Sequence, residues 1–92
     1  MKMEQTETLE QVSTQTQATR LHEIVLHNDD VNTFDWVIES LIEVCEHSPE
    51  QAEQCAILVH YKGKCGVKTG AYDELEPRCT SLLDRGLSAE IV

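Results

Sequence analysis

The sequence predicts an α/β (α+β) fold in the order β-α-α-β-α-β, with a small three-stranded antiparallel sheet packed against three helices. Three observations lead to the order of the elements. Residues 21–27 alternate in polarity with the period of a strand, two helical-period apolar stripes follow Phe34 and Pro49, and Ser48-Pro49, Gly63 and Gly86 punctuate the chain where such elements end. A chain of 92 residues supports one domain, with a modest core for its surface.

Residues 1–20 are rich in Thr and Gln and hold too few apolar groups to offset the entropy of ordering, so they read as a flexible N-terminal extension ahead of a folded domain at 21–92. The first strand sets Leu21, Glu23, Val25 and His27 against His22, Ile24 and Leu26, with apolar groups on both faces. Asn28-Asp29-Asp30 ends it. Asn32 or Thr33 can cap the first helix, which runs to about Glu46 and gathers Phe34, Val37, Ile38, Leu41, Val44 and Cys45 on one face.

Ser48 as N-cap, Pro49 at the first helical position and Gln51 completing a capping box fix the start of the second helix, which buries Ala52, Cys55, Ala56 and Val59 and stops at Gly63. Cys65, Val67 and Thr69 form a second strand, after which Gly70 is expected to turn the chain. A third helix carries Leu75, Cys79, Leu82 and Leu83. Pro77 lies within it and, lacking an N–H, predicts a late or kinked start. Gly86 closes that helix, and Leu87, Ala89 and Ile91 alternate into the last strand.

The formal net charge of −10 opposes binding to nucleic acid, whose phosphates require a basic face. Cationic or neutral partners suit it. Cys45, Cys55, Cys65 and Cys79 stand ten or more residues apart and make no paired metal or redox motif, so Cys45 and Cys55 read as small core hydrophobes. The first residues form no apolar signal core, and the run from Ala56 to Val59 is too short for a bilayer. The expectation is a reduced, cytoplasmic protein with no membrane contact and no metal or other cofactor. Lys62, Lys64 and Lys68 read as charges guarding a sheet edge.

The chemistry concentrates at His27-Asn28-Asp29-Asp30 and, one helix later, at Val59-His60-Tyr61-Lys62-Gly63. Two carboxylates, an amide and an imidazole brought together suit a three-donor cation such as a free amine. Asp30 reads as a turn or cap residue, and His22, His27 and His47 as solvated or structural. No nucleophile and base stand in an arrangement that would turn over a substrate, so the chain reads as a non-enzyme.

Leu26-His27-Asn28-Asp29-Asp30, Val59-His60-Tyr61-Lys62-Gly63-Lys64 and Cys65-Gly66-Val67, in this order and spacing, resemble the ClpS family over residues 21–92. The resemblance implies the same β-α-α-β-α-β fold and an adaptor that hands N-degron substrates to the N-domain of a ClpA- or ClpC-type AAA+ unfoldase. It implies that Asn28, Asp29 and His60 bind the substrate α-amino group, with His60 neutral on the nitrogen it presents. Val31, Thr33, Phe34, Ala56, Val59 and Leu87 would line the pit for a first Leu, Phe, Tyr or Trp side chain, and the N-terminal extension would enter the unfoldase channel. The sequence departs from the family at Asn32-Thr33-Phe34, where Thr-Pro-Met is common, at Ala56, often Met, and between Lys64 and Cys65, where two residues are missing. Residues 70–76 keep little of the pattern that meets the unfoldase. The alternative is a small acidic protein-interaction domain of the same fold without a working amine pocket.

Overall fold

The computed structural model describes residues 20–92. All but the last position of the expected N-terminal extension therefore lies outside the described residues. Strand β1 (Leu21–His27) is the centre of an antiparallel sheet, flanked by β2 (Lys64–Ala71) and β3 (Ser88–Ile91) in the order β2-β1-β3. Helices α1 (Phe34–Cys45), α2 (Pro49–Lys62) and α3 (Tyr72–Asp84) connect the strands. Alternation along β1 buries Ile24 and Leu26 and leaves Leu21 and Glu23 exposed, which is the pattern of a sheet covered on one face.

The local signals of the sequence explain most element ends. Thr33 rather than Asn32 caps α1, its hydroxyl accepting the Trp36 N–H at 3.1 Å, and Ser48 does the same for Gln51 at the start of α2. Helix α1 ends at Cys45, with Glu46 in the left-handed region at φ 61°. Gly63, at φ 93°, ends α2 and returns its N–H to Val59 O at 3.0 Å. After α3, Gly86 N–H donates to Leu83 O and Leu87 N–H to Leu82 O, the paired bonds of a Schellman ending, with Gly86 at φ 87°.

Two expectations fail, both near β2 and α3. Gly70 does not turn the chain: β2 continues through it to Ala71, because pairing with β1 extends to Leu21↔Ala71. What a side chain at position 70 would meet is the Glu74 carboxylate at 3.0 Å, so the small residue serves close approach of the first turn of α3. Helix α3 also starts five residues before Pro77 and runs through it. Leu75 on one side of the proline and Cys79 and Leu82 on the other bury a single stripe, and this packing outweighs the missing hydrogen bond.

A β-bulge gives one histidine its role. Ile24 pairs with Lys68 and Val25 with Gly66, so Val67 is the extra residue of β2, and its carbonyl accepts from His47 Nε2 at 2.6 Å. His47 is buried and structural, with its hydrogen on Nε2. The core gathers Ile24, Leu26, Leu41, Leu75 and Leu82 around Cys45 and Cys55. Burial pushes the Cys45 thiol up to about 11 and the Cys55 thiol up to about 12, so both pack as neutral groups. No described helix is long and apolar enough to cross a membrane.

Candidate functional site

The end of β1 and the end of α2 are fastened together by the backbone: Asn28 N–H donates to Gly63 O at 2.9 Å. This bond brings the Asn28-Asp29-Asp30 turn beside His60, which lies in the last turn of α2. Between them opens a cleft of about 650 Å³. Its lining is polar at Asn28, Asp29, Asp30, Asn32 and His60 and apolar at Phe34 and Val37 of α1 and at Ala56, Ile57 and Val59 of α2. Tyr61 borders it as well, its ring perpendicular to that of His60 with centroids 4.8 Å apart.

The two adjacent carboxylates have different occupations. Asp29 Oδ1 accepts the backbone N–H of Val31 and of Asn32, both at 2.9 Å, and both its oxygens accept from the Asn32 amide at 3.1 and 2.9 Å. The Asn32 backbone N–H is the strongest influence holding the Asp29 carboxyl below its usual range, against the opposing effect of burial. Asn32 Nδ2 also reaches Gly86 O at 2.8 Å, which ties this turn to the one before β3. Asp29 is thus the residue that closes the turn, a role the sequence had suggested for Asp30. Asp30 lines the cleft, exposed, and accepts no hydrogen bond from another described residue.

Of the residues expected to form the amine site, Asn28, Asp29 and His60 all border the cleft. Of those expected in the pit, Phe34, Ala56 and Val59 do so as well. Val31 is 87% exposed outside it, because the Asp29 turn swings residue 31 to the surface. Thr33 is absent from the lining, its hydroxyl engaged in capping α1. Leu87 is buried and borders a void of about 20 Å³ that adjoins the cleft, sharing Asn28, Asp29, Asn32, Val37 and Val59 with it. Val37 and Ile57 are linings that the sequence reading missed. Val37 follows Phe34 by three residues on the same helix, a spacing that puts both on one face.

A second, larger cleft of about 780 Å³ lies between α1, β2 and α3 and contains Lys68, Arg78 and Arg85. Its cations are spoken for. Arg78 donates to Val44 O at 2.7 Å and Lys68 to Cys45 O at 3.4 Å, satisfying carbonyls at the end of α1, while Arg85 pairs with Glu43 at 2.6 Å and stacks 5.4 Å from the Trp36 ring. Lys68, expected to guard the edge of the sheet, instead serves this helix end.

Comparison with known proteins agrees with this architecture. The chain superposes on the structure of Agrobacterium tumefaciens ClpS2 bound to L-phenylalaninamide with a TM-score of 0.75 at 22% identity, covering 78% of this chain and 94% of that one. It is 38% identical over 69 residues to an ATP-dependent Clp protease adapter protein ClpS of Campylobacter jejuni, covering 73% of this chain and 70% of the relative. To the protein of that name in Nitratidesulfovibrio vulgaris it is 40% identical over 57 residues, 60% of this chain and 57% of the relative's length. The family model described as ATP-dependent Clp protease adaptor protein ClpS matches residues 17–90, which takes in the whole sheet but its last residue, all three helices and both halves of the cleft, and the chain accordingly belongs to the ClpS family.

Proposed function

We propose that this protein is an adaptor that holds the free α-amino group and bulky apolar first side chain of an N-degron substrate and delivers it to a Clp-type AAA+ unfoldase of the ClpA or ClpC kind. The observation that carries the reading is one cleft whose lining combines hydrogen-bond acceptors with apolar side chains of α1 and α2. An ammonium has three donors. Asn28 Oδ1, a His60 ring nitrogen and the Asp29 carboxylate, whose Oδ2 accepts a single hydrogen bond within the turn, are three acceptor groups able to take them, and the Asp30 carboxylate adds a second negative charge beside them. Each charge-assisted bond contributes roughly 1.5 to 3 kcal/mol, and burial of the side chain contributes roughly as much again, which together reach micromolar affinity after ordering costs.

Membership of the ClpS family supports the delivery half of the proposal, and the relative bound to phenylalaninamide, a free amine beside a benzyl group, supports the chemistry of the pocket. Binding and release of this kind require no covalent step.

The test is fluorescence polarisation with peptides that differ only at the first residue: Phe, Leu, Arg, and Phe with its amine acetylated. Free Phe and Leu are expected to bind, and Arg and acetyl-Phe to fail. Equal binding of the acetylated peptide would remove the amine mechanism. No binding of any peptide would leave a small acidic interaction domain of the same fold.

A further inference from the structure

We infer that the cleft ranks its substrates by ring, taking a first Phe ahead of a first Leu, and that Ala56 and Phe34 set this order. The inference rests on the amine-pocket reading of the same cleft.

Ala56 is 3% exposed and contributes only a methyl group to the α2 wall. Its apolar neighbours Val37 and Val59 are short as well, so no long side chain from these positions spans a space of about 650 Å³. A benzyl group covers more of the apolar wall of this open cleft than a Leu side chain does, so more apolar surface leaves water when it binds. An aromatic side chain also buries roughly 150 to 250 Å² of its own surface.

Phe34 adds a directional term. It begins α1 directly after the Thr33 cap and borders the cleft 41% exposed, so a guest ring has an aromatic partner at this wall. Ring pairs in edge or offset contact gain beyond the area they bury, which corresponds to roughly twofold to tenfold in affinity. Val37, Ala56, Ile57 and Val59 carry no side-chain donor or acceptor, so a plain ring suits this wall better than a phenol.

The test measures free-amine Phe and Leu peptides against the full chain and its Ala56→Met and Phe34→Leu variants, with acetyl-Phe as the amine control and urea midpoints as the folding control. The full chain is expected to bind Phe roughly twofold to tenfold tighter than Leu. Ala56→Met fills the space and Phe34→Leu removes the ring, and each is expected to bring the ratio towards one while amine dependence persists. Phe34→Leu changes a half-exposed residue, so it reports even if Ala56→Met fails to fold. A Leu peptide that binds as well as Phe, or a ratio that neither variant moves, would overturn the ranking while leaving the amine pocket intact. Binding of acetyl-Phe would instead overturn the underlying reading.

Discussion

The two clefts are similar in size and differ in how their polar groups are employed. In the larger one, Arg78, Lys68 and Arg85 already have a helix-end carbonyl or a carboxylate to themselves, so the cleft is a seam that holds α1 to α3 and β2. In the smaller one, no described side chain bonds to the side chains of Asn28, Asp30 and His60, and apolar side chains of α1 and α2 share the lining. Volume does not tell the two apart. Under the proposed function, what distinguishes the site from the seam is hydrogen-bonding capacity left over after folding.

That contrast predicts separable losses. Asp30→Asn, at the cleft with capacity to spare, is expected to weaken a free-amine Phe peptide by tenfold or more in a polarisation assay and to leave the urea midpoint where it was. Arg78→Ala, at the seam, should do the reverse: it strands the Val44 carbonyl and costs about 1 to 3 kcal/mol in urea unfolding, with peptide affinity unchanged. If Arg78→Ala weakened the peptide as much as Asp30→Asn, the division between seam and site would collapse.

Thr33 and Asp29 sharpen the same comparison, since Thr33 caps α1 and Asp29 Oδ1 accepts three bonds within its own turn. Thr33→Ala should cost about 1 kcal/mol of stability through the lost cap of α1, measured by thermal unfolding. Asp29→Asn should produce the smallest effect on stability, and one that depends on pH. The carboxyl of Asp29 is held below its ordinary value of 3.8, so its ionised form stabilises the fold above that pH and the stabilisation fades as pH falls through the lowered value. The difference in unfolding free energy between the wild type and Asp29→Asn should therefore be present at pH 7 and shrink below about pH 3.8. A difference that grew in acid would contradict the hydrogen bonds drawn to that carboxylate.

The parts of the fold that were legible in the sequence are those decided by a few neighbouring residues. Ser48-Pro49 starts α2 and Gly63 stops it because capping is a matter of one side chain and one backbone conformation. Helix α3 was harder. Whether Pro77 breaks a helix depends on what Leu75, Cys79 and Leu82 bury, and that is settled by the sheet they meet. The site divides in the same way. Asn28, Asp29 and His60 could be picked out as strand-end and helix-end residues, and all three border the cleft, whereas which of two adjacent carboxylates faces Val31 N–H and Asn32 N–H is set by the turn itself. Periodicity distinguishes faces of an element; it does not resolve neighbours in a turn.

The Asn28–Gly63 backbone bond has a consequence for substitution. Because main-chain atoms fasten the halves of the cleft, the fastening is insulated from side-chain replacement in the walls. Side chains at positions 34 and 56 can therefore be exchanged without loosening the junction between the end of β1 and the end of α2.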